Sequence, residues 1–228
     1  MGIALILLAG FLALAFLPGW WVRSVLKKHS AERPDFPGTG AEFARHLLDR
    51  MGLQSVGVEE TDLGDHYDPM AKVVRLSKAH MHRRSLAAVV VAAHEVGHAM
   101  QDATAYPPLA ARTRLARQAQ KIELVGSIVM LASPLILLIA KSPHFVFVQI
   151  FAGLIILAMT VLMHAMTLPV ELDASFRRAL PVLEAGKYID DKDMSSAREL
   201  LRAAAFTYVA SAALSLLDVM RWLRVLRI

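Results

Sequence analysis

The chain has 228 residues, of which 56% are hydrophobic, and a mean hydropathy of +0.46. Soluble domains are about 45–50% apolar, so this composition argues against disorder and an ordinary soluble enzyme and predicts a membrane protein. The absence of cysteine excludes disulfides, iron–sulfur clusters and thiolate zinc sites. The formal net charge of +5 indicates basic loops facing the cytoplasm rather than nucleic-acid binding.

The first predicted element is an apolar helix at the N-terminus. A run of 20 uncharged residues extends from Ile3 to Val22, about the length that a membrane-spanning helix requires. Basic residues follow this run, whereas in a secretory signal they precede it. The order of charges therefore predicts a retained N-terminal transmembrane anchor over residues 1–22.

The next segment, residues 23–122, is polar and is predicted to contain a helix, a small sheet and a second helix. Alternating apolar and polar residues indicate a short strand over residues 55–60, and residues 65–77 indicate two further short strands joined by a turn at Asp68-Pro69. The second helix starts after Ser85, a residue type that favours the N-cap position. This helix is apolar on all sides, which predicts that it is buried. Before it, His80 and His82 are interpreted as surface residues.

The buried helix carries the sequence His94-Glu95-Val96-Gly97-His98, an H-E-x-x-H pattern that is typical of zinc metallopeptidases. Residues four apart lie on one helix face, so the two imidazoles can bind a single metal ion. Glu95 is then placed to act as general base on a metal-activated water. The alternative is three ordinary core residues. That reading would bury an unpaired carboxylate at a cost on the order of several kcal/mol, which favours a metal site.

Two further uncharged runs, Leu124 to Ala140 and Ser142 to Val170, predict a transmembrane helical hairpin over residues 123–170. The alternative is a buried hairpin in a soluble bundle. If the hairpin crosses out and back, Glu171 returns to the side that holds the two metal-binding histidines. Glu171 is the first carboxylate after the hairpin, and we predict that it is the third metal ligand. Its alternative role is a carboxylate that stabilises a helix start.

Residues 171–228 are predicted to contain the helix of the third ligand and a C-terminal membrane-associated helix. An uncharged run from Ala203 to Leu217 either spans the membrane or packs on the other helices. Ser175 lies one helical turn after Glu171 and could support it by a hydrogen bond. Asp173 lies on the opposite side of the helix, so it is not expected to bind the metal.

The stretch from Asp65 to Gln101 resembles the bacterial membrane-bound neutral zinc metallopeptidases, the YugP-like family, and residues 168–179 are similar to the second motif of that family. This resemblance implies a membrane peptidase that holds one Zn²⁺ ion with His94, His98 and Glu171 and uses Glu95 as base. A looser similarity links the chain to gluzincin membrane proteases related to HtpX and the CaaX-processing enzymes. Their second motif reads E-x-x-x-D, and its last position here is a serine. Whether residue 173 or residue 175 supports the site stays open.

The sequence as a whole predicts a multi-pass α-helical membrane protein with a small zincin-like α+β metallopeptidase unit. We expect it in the cytoplasmic (inner) membrane, with the active site facing the cytoplasm, the lipid bilayer around it, and no nucleic acid as partner. The predicted activity is endopeptidase cleavage of a peptide or protein substrate. Two alternatives are a non-catalytic, metal-stabilised membrane scaffold or chaperone-like factor, and a hydrolase of a non-peptide amide or ester.

Overall fold

The computed structural model describes residues 2–140 and 143–206. The elements in chain order are α1 (Gly2–Lys28), α2 (Gly40–Arg50), β1 (Gly57–Thr61), β2 (His66–Asp68), β3 (Val73–Ser77), α3 (Lys78–Met81), α4 (Leu86–Ala103), α5 (Pro107–Ala140), α6 (Pro143–Leu172), a π-helical segment (Asp173–Ala179), α7 (Leu180–Ala185) and a short 3-10 turn (Asp191–Asp193). Residues 194–206 are also helical.

The sheet has three strands in the order β1-β3-β2, with β1 parallel and β2 antiparallel to β3. The central strand β3 is the most buried, and its residues Val74 and Leu76 are fully enclosed. One face of the sheet packs on α4 through β2 and β3. The polar segment thus contains the predicted helix, small sheet and second helix.

Helix α4 is the centre of the folded core, as its apolar sequence predicts. Ser85 caps its start, because the side-chain oxygen accepts a hydrogen bond of 3.1 Å from the backbone N–H of Ala88. The helix α2, the strands β2 and β3, the π-helical segment and α7 all pack against it. A helix without a polar face can be stable in water only when neighbours cover it on every side, and these elements provide that cover.

The π-helical segment approaches α4 closely. A Cβ atom on Gly97 would lie only 2.7 Å from the carbonyl oxygen of Ala174, so this position has room for glycine alone. In a π-helix the hydrogen bonds run from residue i to i+5, which widens each turn. The backbone N–H of Leu180 donates to the carbonyl oxygen of Ser175, five residues earlier, in agreement with this spacing.

The predicted membrane architecture is wrong. Within residues 2–140 and 143–206, no helix meets the combined length and apolarity needed to cross a bilayer. A crossing requires a long, continuously apolar helix because hydrocarbon offers no partner to polar groups. The finding overturns the multi-pass fold class, together with the transmembrane anchor over residues 1–22 and the transmembrane hairpin over residues 123–170.

The error comes from assigning the whole excess of apolar residues to a surface in contact with lipid. Part of the apolar excess is used inside the protein, where the run from Leu86 to Ala93 is buried on all sides of α4. The uncharged run from Leu124 is not a separate helix but the continuation of α5, which begins with several basic residues. The predicted C-terminal membrane-associated helix over Ala203 to Leu217 lies, from residue 207 onward, outside the described residues.

Candidate metal centre

Three side chains from two distant parts of the chain converge in the core. His94 and His98 lie on one face of α4, and Glu171 lies near the end of α6, fully buried. Glu171 Oε2 is 3.1 Å from His94 Nε2 and 3.3 Å from His98 Nε2. One ligand atom of each residue lies within 4.8 Å of the others, so the group could hold a metal ion.

The imidazole of His98 is fixed by a buried glutamine. Its Nδ1 lies 2.9 Å from Gln101 Oε1, while Gln101 Nε2 donates to the carbonyl of Val170 and to Asp173 Oδ2, both at 2.8 Å. The oxygens of Val170 and Asp173 can only accept hydrogen bonds, so the Gln101 atom that faces them must be the Nε2 donor. Gln101 Oε1 is then the acceptor that faces His98. The Nδ1 atom of His98 therefore carries hydrogen, and Nε2 faces Glu171.

The imidazole of His94 is fixed in the same way by a serine. Its Nδ1 lies 3.0 Å from Ser175 Oγ, and the hydroxyl of Ser175 donates to the carbonyl oxygen of Leu201 at 3.3 Å. Since the hydroxyl hydrogen is directed to that carbonyl, the serine oxygen accepts from His94 Nδ1–H. Outer hydrogen bonds of this kind orient metal-binding histidines and select the nitrogen that faces the ion.

A positive charge is needed between the two Nε2 atoms and Glu171 Oε2. With both Nδ1 atoms protonated, neutral rings would direct two lone pairs at a carboxylate oxygen. Protonating both rings would instead place two like charges at a ring-centroid separation of 4.8 Å. One divalent ion satisfies all three groups, and ligands at about 2.0–2.1 Å in a tetrahedral arrangement stand about 3.3 Å apart, close to the observed distances. The donor set therefore fits a small divalent metal ion.

The two carboxyl groups of the site differ in their electrostatics. Burial raises the pKa of Glu95 to about 8, with a further contribution from the nearby carboxylates of Glu171 and Asp65 and an opposing effect of His94. For Glu171, burial also acts to raise the pKa, but the charge of His98 and hydrogen bonds with both imidazoles hold it well below its usual range. A bound cation would favour the ionised form of each group.

Sequence reasoning missed or misplaced several contacts. Ser175 supports His94 rather than Glu171, and Asp173 acts on His98 through Gln101, which was not among the predicted site residues. Its position three residues after His98, on the same helix face, was the available signal. His80 is buried rather than exposed, with Nδ1 2.8 Å from Asp65 Oδ2.

The position of His82 agrees with the surface interpretation, since it is exposed and contacts Glu60. Arg112 lies in the first part of α5, among several other basic residues. In the structure its Nη1 atom lies 3.6 Å from Glu171 Oε1, at the metal centre. No local pattern in the sequence indicates this contact, because α5 and α6 approach each other only in the folded chain.

The sequence of the chain is similar to those of known and inferred peptidases. A protein family described as "Putative neutral zinc metallopeptidase" matches residues 4–227. The chain is also similar to the "Putative membrane protease YugP" of Bacillus subtilis (strain 168), with 35% identity over 216 residues, which cover 94% of this chain and 92% of that protein. No solved structure matches the chain.

Proposed function

Because the chain belongs to the neutral zinc metallopeptidase family, as its sequence motifs predicted, we propose that it is a zinc-dependent endopeptidase. In this proposal His94, His98 and Glu171 bind one Zn²⁺ ion, and Glu95 is the general base. The main support for the proposal is that the Nε2 atoms of the two histidines, whose rings are held in fixed orientations, lie close to a carboxylate oxygen of Glu171 inside the protein. The site contains no sulfur, and nitrogen and carboxylate ligands suit zinc.

The chemistry divides between the metal and the protein. Bound zinc would supply a Lewis acid that polarises the scissile carbonyl and makes water a nucleophile near neutral pH. Glu95 accepts the proton of the attacking water and passes it to the leaving amine. Its buried position keeps bulk water from competing for that proton. Ser175 and Gln101 hold the two imidazoles in a fixed orientation, so little reorganisation is needed during the reaction.

We also propose a location at the cytoplasmic membrane, with the site facing the cytoplasm. The similar Bacillus subtilis protein is named a membrane protease. Large apolar side chains are exposed on three helices of this chain, among them Phe16 and Trp20 on α1, Leu131 on α5 and Phe147 on α6. Cell fractionation tests the location: the chain should sediment with membranes in high salt and be released by detergent.

The function is tested by comparing Glu95→Gln with His94→Ala in the purified full-length chain. Two quantities are measured together: zinc content by mass spectrometry, and cleavage of a generic unfolded protein. Glu95→Gln should keep its zinc and lose about 10²–10⁴-fold in turnover, because only the base is removed. His94→Ala should lose both zinc and turnover.

Other outcomes would favour the alternatives. A Glu95→Gln variant that cleaves at the wild-type rate contradicts the proposed mechanism. Wild-type protein that holds zinc but cleaves no substrate, and that depends on His94 only for stability, supports the non-catalytic scaffold. If Glu95→Gln, used as a substrate trap, captures a non-peptide amide or ester, the chain is a hydrolase of that class.

A further inference from the structure

Arg112 brings a positive charge from α5 to the metal centre. Its Nη1 atom lies 3.6 Å from Glu171 Oε1, and its side chain is 22% exposed while that of Glu171 is almost completely buried. This places the guanidinium at the edge of the site and the carboxylate inside it.

The two oxygens of Glu171 have different surroundings. Oε2 lies between the imidazoles of His94 and His98. Oε1 is buried and accepts no hydrogen bond among the described residues, so the guanidinium of Arg112 is its electrostatic partner. A partial rotation of the carboxylate about its terminal bond would turn Oε2 away from the two imidazoles and disturb the donor set.

We propose that Arg112 is a positioning residue that holds the carboxylate of Glu171 so that Oε2 is presented to the metal ion. The proposal rests on the proposed function, because it assigns Glu171 as a metal ligand. Arginine suits this task because its planar guanidinium is always charged and offers donors in a fixed geometry to a carboxylate. The contact also ties the first turns of α5 to the metal centre.

The sign of the effect on metal affinity separates positioning from a simple charge effect. If Arg112 acted only as a nearby positive charge, it would repel the metal ion, and its removal would strengthen binding. If it positions Glu171, its removal allows the carboxylate to rotate and weakens binding. Loss of an outer contact to a metal ligand typically lowers the metal affinity by about 10–100-fold.

The experiment compares Arg112→Gln, Arg112→Lys and the control Arg114→Gln in the full-length chain. Arg114 lies two residues further along the same helix and is exposed. Zinc affinity is measured by competition with a chelator, and the visible spectrum of the Co²⁺-loaded protein reports the ligand arrangement independently of activity. Circular dichroism of each variant verifies folding.

We expect Arg112→Gln to bind zinc about 10–100-fold more weakly than wild type and to change the Co²⁺ spectrum. The zinc affinity of Arg112→Lys should lie between those of wild type and Arg112→Gln, because lysine keeps the charge but not the planar guanidinium. This variant serves as the test if Arg112→Gln does not fold. Arg114→Gln should match wild type. Equal or tighter zinc binding by Arg112→Gln overturns the positioning role, while the proposed function survives. A wild-type chain that binds neither metal overturns both.

Discussion

Glu171 Oε2 lies 3.1 Å from His94 Nε2, although the two residues are 77 positions apart in the chain. The contact joins the last turn of α6 to the middle of α4. On the other side of the imidazole ring of His94, the Nδ1 atom forms a hydrogen bond with Ser175 Oγ. The candidate metal centre is therefore also a tertiary contact of the core, and changes to it should be visible in stability as well as in activity.

Zinc should stabilise the folded chain. A ligand that binds only the native state adds about 4 kcal/mol when its free concentration is 1,000 times the dissociation constant. Chelator treatment should lower the melting temperature of the full-length chain, and added zinc should restore it. The His98→Ala variant lacks one ligand, so its melting temperature should respond little to zinc. An equal response in this variant would contradict the assigned ligand set.

Ser175→Ala should weaken zinc binding about 10–100-fold. The substitution removes the oxygen that accepts the Nδ1–H of His94, so the imidazole loses its fixed orientation. Competition with a chelator measures the effect. Ser195→Ala, at an exposed position, is the control and should bind zinc as wild type does. If both variants retain wild-type affinity, Ser175 has no part in orienting His94.

Gly97→Ala should destabilise the chain by about 1–3 kcal/mol, the usual cost of adding a methyl group to a tightly packed core. The new Cβ would lie 2.7 Å from the carbonyl oxygen of Ala174, so α4 and the π-helical segment would have to separate. Zinc affinity should fall with the stability, because Glu171 adjoins this segment. Urea unfolding measures the first effect and chelator competition the second.

The control for this substitution is Gly153→Ala in α6. Apart from the adjoining residues and the backbone of α6 itself, no atom of the described residues lies within 4 Å of the Cβ that it adds. Alanine has a higher helix propensity than glycine, so this variant should equal or slightly exceed the wild type in stability. A Gly97→Ala variant as stable as Gly153→Ala would show that the two segments are not in close contact.

The metal-free chain should lose stability as the pH rises from about 4.5 to about 8. Burial raises the pKa of Glu95 to about 8, whereas its ordinary value is near 4.5. Between these values the folded state keeps a proton that the unfolded state has released, so raising the pH favours unfolding. Above pH 8 this contribution is constant. Glu171 has a lowered pKa and acts with the opposite sign, but only in the acidic range below this window.

Glu95→Gln removes this pH dependence. The metal-free variant should therefore exceed the wild type in stability by a margin that grows from pH 5 to pH 8, on the order of a few kcal/mol at the upper end. Urea unfolding in the presence of a chelator measures the margin. Glu32→Gln, at an exposed position, is the control and should follow the wild type. Parallel curves for wild type and Glu95→Gln would contradict the buried, protonated state of Glu95.

The parts of the site that depend on local spacing were predictable from the sequence. The helical repeat alone places His94 and His98 on one face of a buried helix. The return of Glu171 to that face followed from the two apolar runs before it. The structure brings the three side chains together even though the part of the chain that it describes contains none of the membrane crossings assumed in that argument. A helical pair returns the chain to its starting point whether or not lipid surrounds it.

Contacts that depend on unusual backbone geometry or on tertiary packing were not predictable. The α-helical repeat places Ser175 below Glu171, but the wider turns of the π-helical segment direct it to His94 instead. Arg112 reaches Glu171 only because α5 packs on α6. His80 precedes α4 in a short polar stretch, and nothing in that pattern indicates that Asp65 covers it.

The pairing of α5 with α6 has a consequence for how proteins of this kind can diverge. The two helices, of 34 and 30 residues, form most of the chain between the second histidine and the glutamate. At 1.5 Å per residue they extend about 45–50 Å from their bases, which are the ends that carry Arg112 and Glu171. Insertions or deletions of whole turns, matched in both helices at the ends remote from Arg112, would leave the three ligands where they are. Length variation should therefore accumulate there, while the spacing near the bases stays constant.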